Sequence, residues 1–274
     1  MNTSEVISQM AYLCYSSSFI KSITIEQEKG QKVLRGNIHL FLRADTGSFK
    51  STILRELADY FKVDTLELIT SAGLVGTIDK NMNVIPGEAW KIRNKLLLLD
   101  EFNTDGDSNC VGPLLSLLED QYYKKAIGRM ANEQKEIDGD LYFSVKKGEM
   151  MIRTRFSCVV CSMRKIEKTK SVNIEALLSR CVVVPYVLSG PEIKHVMNGH
   201  KLLNIKKCPF KKQFDFTVKA KDYKRIMETV DSYPGLDVLK QYARTVGDCC
   251  RAFAVLGKHD DLTYYLITKL HQEA

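Results

Sequence analysis

Up to about residue 190, short unbroken apolar runs alternate with segments of helical period. Ile38–Leu42, Leu96–Leu99, Phe156–Cys161 and Cys181–Val187 have the length and continuous apolar character of strands buried on both faces of a parallel sheet. Between them, Val6–Phe19, Ser51–Phe61, Gly87–Asn94, Pro113–Asp120 and Ile174–Leu178 carry helical periodicity, and Leu66–Thr70 is a further short strand. Thr77–Pro86, centred on Asp79-Lys80-Asn81, has the turn chemistry of a hairpin, and Tyr142–Met151 reads as strand, turn and strand. After Ser189-Gly190-Pro191 only helices are expected: Glu192–His200, Asp222–Ser232, one from Leu236 to Arg244 and beyond, and a final one near Leu262–His271. The pattern predicts an α/β fold with a parallel sheet, divided into a helix and polar connector (1–35), an α/β core with hairpin inserts (36–190) and a C-terminal α-helical lid (191–274).

Composition narrows the class only slightly. A chain of 274 residues can bury a full core, and 45% apolar residues argue against disorder. The longest apolar runs are too short to span a bilayer, and Met1-Asn2-Thr3-Ser4-Glu5 lacks the layout of a signal peptide. A cytoplasmic protein without membrane partners is therefore expected. The formal charge of +7 suits a nucleic-acid partner, though solubility explains it equally well. The eight cysteines are expected as reduced thiols. Cys158-Val159-Val160-Cys161 has zinc-like spacing, but residues i and i+3 of a strand face opposite ways and serve one metal poorly.

Two segments carry candidate chemistry. Strand Ile38–Leu42 runs through Ala44-Asp45-Thr46-Gly47-Ser48-Phe49 into Lys50-Ser51-Thr52, a turn of backbone N–H groups with a lysine and a hydroxyl at its end. By itself it fits an ordinary strand-to-helix turn with a solvated lysine equally well. The second segment, Leu96-Leu97-Leu98-Leu99-Asp100-Glu101-Phe102, puts two carboxylates at the carboxyl end of a buried strand, where ligands bind in open α/β sheets. Together they supply the parts of nucleotide hydrolysis. The loop and Lys50 hold phosphates, Ser51 and Asp100 hold magnesium, and Glu101 activates water.

The ordered segments resemble the ATPase core of minichromosome maintenance (MCM) helicases, which belong to the AAA+ P-loop NTPases. Gly36-Asn37-Ile38-His39-Leu40-Phe41-Leu42 leading into Asp45-x-Gly47-x-x-Lys50-Ser51 resembles that family's G-D-I-H-x-L-L before G-D-P-G-x-x-K-S. Thr70-Ser71-Ala72-Gly73-Leu74 is similar to its T-S-x-x-G-L segment, and Leu98-Leu99-Asp100-Glu101-Phe102 to its L-I-D-E-F. Leu177-Leu178-Ser179-Arg180 resembles L-L-S-R-F, with Cys181 in place of the phenylalanine. Ala243-Arg244-Thr245-Val246 followed by Arg251 is similar to the lid motif A-R-x-L-E-x-L-I-R.

The resemblance implies a three-layer AAA+ core, ATP and Mg2+ as cofactors, and a homo-oligomer, hexameric in that family. It implies Arg180 as an arginine finger acting on the neighbouring subunit's nucleotide, and Arg244 as a second sensor among the nucleotide-binding residues. It implies a DNA helicase or translocase of replication, working on single-stranded or forked DNA and served by a loader or other replication protein. Lys146 and Lys147 fall at the tip of the family's pre-sensor hairpin and would contact the DNA backbone, with Lys80 on the second hairpin as the lesser candidate. The chain departs from the pattern in several places. Ala44 replaces the first loop glycine, and the residue before the lysine is Phe49. Val160-Cys161-Ser162-Met163-Arg164 has no sensor asparagine, leaving Ser162 as a weaker candidate, and Tyr122–Asp140 is an insertion without counterpart. A non-helicase AAA+ initiator or remodeller, and a degenerate nucleotide-binding structural subunit, remain as alternatives.

Overall fold

The computed structural model describes residues 1–67, 69–81, 83–100, 110–127, 134–163, 172–233 and 239–272. Five parallel strands form its central sheet in the order β13-β3-β12-β7-β4: β3 (Leu40–Ala44), β4 (Thr65–Glu67), β7 (Leu96–Asp100), β12 (Ser157–Met163) and β13 (Val182–Pro185). Four of these are the apolar runs of the sequence, while β4 overlaps the short strand expected at Leu66–Thr70, and the alternation of the side chains of the four builds two cores. Leu40, Leu42, Leu96, Leu98, Val159, Cys161, Val182 and Val184 face α1 (Thr3–Ser17), α2 (Lys50–Phe61), α9 (Leu239–Leu256) and α10 (Asp261–Gln272). Phe41, Leu97, Leu99, Cys158, Val160 and Val183 face the other way, toward α3 (Ser71–Val75), α4 (Glu88–Lys91) and α5 (Val111–Asp120). The arrangement has three layers. Cys158 and Cys161 lie in opposite cores, both as buried free thiols.

The second core is closed by a four-stranded antiparallel sheet in the order β8-β11-β10-β9: β8 (Tyr122–Ala126), β9 (Gln134–Asp138), β10 (Leu141–Lys146) and β11 (Glu149–Arg153). The expected hairpin is its centre. The unplaced insertion of the sequence supplies its two outer strands. Gly76, at the start of β5 (Gly76–Ile78), lies so close to Phe143 that an added Cβ would stand 3.1 Å from its ring, tying the β5–β6 hairpin (β6 is Val84–Pro86) to this sheet.

Two expectations need correction. The polar connector before residue 35 is an antiparallel hairpin, β1 (Ile20–Gln27) with β2 (Gly30–Arg35). The C-terminal region is not purely helical, because β14 (Phe214–Val218) pairs in parallel with β1. This third sheet packs against α8 (Ala220–Asp231) and α9 and ties the N-terminal segment to the C-terminal region. The remaining helices are α6 (Val172–Leu178) and α7 (Gly190–Met197). Among the described residues no helix is long and apolar enough to cross a membrane.

Candidate functional site

The lysine turn leaves β3 at Ala44, whose side chain is buried, and enters α2 at Lys50. Two residues in the turn have left-handed backbone: Gly47 at φ 80° and Phe49 at φ 62°. Such reversals turn successive N–H groups toward a common point, the geometry of an anion nest. Phe49 is the N-cap of α2 and provides no side-chain cap, so the first-turn amides of Lys50, Ser51 and Thr52 keep no acceptor within the helix. Inside the loop, the Ser48 backbone N–H donates to the Asp45 carbonyl at 3.3 Å, and the Ser48 hydroxyl donates to the same oxygen at 2.5 Å. The Lys50 ammonium lies over the loop and donates to the carbonyls of Ala44 (3.1 Å) and Asp45 (2.7 Å). Asp45, Thr46, Gly47 and Ser51 are exposed.

Asp100 ends β7 as a buried carboxylate, 4% exposed. Alternation along β7 sets it on the same face as Leu96 and Leu98, the face that α2 covers. Cys161 marks the convergence. Burial pushes its thiol pKa far up, the neighbouring Asp100 carboxylate adds to the rise, and the Lys50 ammonium opposes it. Register gives the geometry: on β12, Val160 lies opposite Leu99 of β7 and Cys161 opposite Leu42 of β3, so Asp100 and the lysine loop that follows Ala44 lie at the same carboxyl edge of the sheet. Glu101 lies outside the described residues. So does the side chain of Ser162 on β12, whose backbone pairs with Arg43 of β3.

Tyr186 joins this edge, and the sequence reading passed over it. Its N–H donates to the Arg43 carbonyl at 3.0 Å, extending β13 alongside the start of the loop. The phenol is 5% exposed, and its oxygen is buried beside Ser48. Burial, with Cys161 and Asp100 nearby, raises its pKa well above the usual phenol value. The available signal was a polar-tipped aromatic at the carboxyl end of an aliphatic strand.

Arg180 and Arg244 lie elsewhere. Arg180 precedes β13, and the Val182 N–H donates to the His39 carbonyl at 2.8 Å, below the start of β3. The five residues of β3 separate that end from the loop, about 15 Å of extended chain. There the Arg180 guanidinium pairs with Glu119 of α5 at 3.0 Å and donates to the Ala176 carbonyl at 2.7 Å, while Arg35 binds the same Glu119 oxygen at 3.1 Å. Burial raises the Glu119 carboxyl, but the charges of Arg35, Arg180 and Arg244 outweigh it and hold its pKa below the ordinary value. Arg244 thus belongs to the Arg180 cluster, whereas Lys50 and Asp100 form the other. Behind the cluster, the Arg251 guanidinium donates to the Arg35 carbonyl at 2.9 Å and pairs with Asp248 at 2.7 Å. His271 meets Asp248 at 2.8 Å. Neither Glu119 nor Arg35 was singled out from sequence, because their value comes from tertiary neighbours.

Lys146 is the last residue of β10 and Lys147 forms the turn with Gly148, both lysines being exposed. Lys80 is exposed on the β5–β6 turn, where Asp79 accepts from the backbone N–H groups of Asn81 and Asn83, each at 2.8 Å. No group of three or more His, Cys, Asp or Glu residues able to hold a metal is present among the described residues. Magnesium bound with a nucleotide asks for less, since it takes one or two protein oxygens and keeps phosphates and waters. No protein-family model matches the chain, and no curated protein matches it.

Proposed function

We propose that the chain is an ATP-hydrolysing, ring-forming motor of the MCM-like AAA+ type that moves on DNA in replication. The observation that carries this reading is that β3 and β7, on either side of β12, deliver the Lys50 loop and Asp100 to the same carboxyl edge of a parallel sheet, in front of an uncapped helix start. Anions are favoured at such a helix start, and nucleotides are held there in open α/β sheets.

In this reading the loop amides between Ala44 and Thr52 cradle the phosphates, and the Lys50 ammonium leaves its own loop carbonyls for phosphate oxygens. Ser51 and Asp100 would hold magnesium, which when bound with ATP neutralises charge across the phosphates. Asp100 is suited to this by being ionisable, nearly buried and fixed at a strand end. Glu101, next in sequence, orients the attacking water. Arg180 and Arg244 would complete the site of the neighbouring subunit, a trans placement that their distance from Lys50 within one chain supports. The exposed hairpin lysines Lys146 and Lys147, with Lys80 beside them in role, ride on the phosphate backbone.

The test is ATP turnover per subunit against protein concentration, with and without single-stranded DNA. Turnover should rise with concentration and rise again with DNA. Lys50→Ala should abolish nucleotide binding, and Glu101→Gln should bind ATP while losing hydrolysis by about a hundredfold or more. A Glu101→Gln protein that hydrolyses at the wild-type rate overturns the assignment. ATP binding without any turnover in the wild-type chain would instead indicate a nucleotide-dependent structural subunit.

A further inference from the structure

The insertion Tyr122–Asp140 widens a hairpin into a sheet, and the widening creates a surface with its own chemistry. Phe143, Val145, Met150 and Ile152 point into the second core. Their neighbours along each strand point outward. Register then sets four side chains in one row across all four strands: Ile137 opposite Tyr142, Tyr142 opposite Arg153, and Arg153 opposite Tyr122. The row runs aliphatic, aromatic, cation, aromatic. Ile137 is 64% exposed, Arg153 is exposed, and both tyrosines are half-buried in the sheet surface. The next row places Met151 opposite Lys124, and the one beyond it leads through Glu149 and Lys146 to the Lys147 tip. Cross-strand neighbours stand about 5 Å apart, which places the tyrosines about 10 Å apart with the guanidinium between them.

We infer that this outer face is a binding platform for single-stranded DNA, on which Tyr122 and Tyr142 stack bases while Arg153 and Lys124 hold the intervening backbone. The inference rests on the DNA-motor reading above and extends it, since the hairpin lysines alone grip only phosphates. Interleaved aromatics and cations on an open sheet are what sequence-tolerant single-strand binding requires. Charge favours the same occupant. Among the described residues, Lys124, Arg153 and Lys146 stand on or beside this face with two acids, Glu149, which pairs with Lys124 at 2.8 Å, and Asp140, whose carboxyl feels the Arg153 charge. A second copy of the chain would want a contiguous apolar patch, and among the described residues the aliphatic side chains of this face are Ile137 and the half-buried Met151.

The experiment is fluorescence anisotropy of a labelled oligo(dT) over a salt series. It uses the full chain, Tyr122→Ala/Tyr142→Ala, Tyr122→Phe/Tyr142→Phe and Arg153→Glu. Thermal melts and size-exclusion profiles are taken on every protein. The alanine pair should weaken binding by about tenfold or more, the phenylalanine pair should keep it, and Arg153→Glu should weaken it with a shallower salt dependence. Wild-type affinity in the folded alanine pair or in Arg153→Glu overturns the platform. So does a shift in assembly size that accounts for the loss, because the face is then a contact between copies. If the wild-type chain binds no oligo(dT) the platform also falls, and its DNA-free ATP turnover then shows whether the motor reading falls with it.

Discussion

His39 shows how one buried side chain sets a pH response. It is 2% exposed beneath the parallel sheet, with Nε2 3.3 Å from the Leu118 carbonyl. Burial lowers its pKa well below the usual histidine value, and the charges of Arg35 and Arg251 lower it further. An unfolded histidine takes its proton near pH 6.5. Below that pH the unfolded chain binds a proton that the folded chain refuses, so stability rises with pH across this window and is lost as pH falls through it. Between pH 7 and pH 5 the wild-type chain should lose stability, by at most about 1.4 kcal/mol per pH unit below 6.5 from this group. His39→Gln should flatten that slope whatever its effect at pH 7. Denaturant titrations of both proteins at the two pH values check this, and equal slopes would reject the assignment. The Asp248 carboxyl acts in a separate window. Burial raises it, but His271 and Arg251 hold it well below the ordinary value, so its contribution is present above about pH 4 and lost in more acidic solution.

Elements are positioned here by backbone geometry as much as by apolar pattern. Lys147 at φ 49° and Gly148 at φ 76° form a two-residue turn of the kind whose twist matches antiparallel strands. Gly148→Ala puts a Cβ in the left-handed region and 3.3 Å from the Ile127 carbonyl, at a cost of about 1 kcal/mol. Calorimetry should show a melting temperature lower by about 2–4 °C, and an unchanged melt would mean that the turn relaxes freely. The central hairpin was legible because Tyr142–Met151 alternates around Lys147-Gly148, and the parallel strands because Leu96–Leu99 and Phe156–Cys161 are apolar on both faces. The strands that escaped are those fixed by distant partners. Gln31 and Lys32 of β2 are polar and exposed, so no local pattern marks them. Phe214–Val218 becomes a strand through β1, far away in sequence. The outer strands β8 and β9 carry lysines and acids, and only the ladder to β10 and β11 makes them strands. The candidate site divides the same way. Lys50 and Asp100 stood out from residue type and spacing, whereas Tyr186 and Glu119 gain meaning only from what surrounds them.

At the scale of the whole molecule, Lys50 and Asp100 stand at the carboxyl edge of the central sheet and Arg180 with Arg244 at its amino edge. If both ends serve ATP hydrolysis, no single chain holds a complete site, and each must complete its neighbour's. Glu119 then keeps the Arg180 guanidinium oriented at 3.0 Å while sharing its carboxylate with Arg35. Through Arg35 the contact continues to Arg251, Asp248 and His271 of the last two helices. Such a geometry makes a prediction about mixtures. Lys50→Ala subunits bind no nucleotide but still present Arg180, and Arg180→Ala subunits bind nucleotide but present no finger. Each protein alone should be nearly inactive. An equal mixture with random assembly pairs an intact loop with an intact finger at about one interface in four, so turnover should recover to about a quarter of the wild-type rate. Recovery requires subunit exchange, so the two proteins should be mixed dilute and then concentrated before turnover is read. A mixture that has exchanged, shown by energy transfer between differently labelled subunits, and yet stays as inactive as its components would reject the trans arrangement. Arg180 would then be a surface ion pair with Glu119 and nothing more.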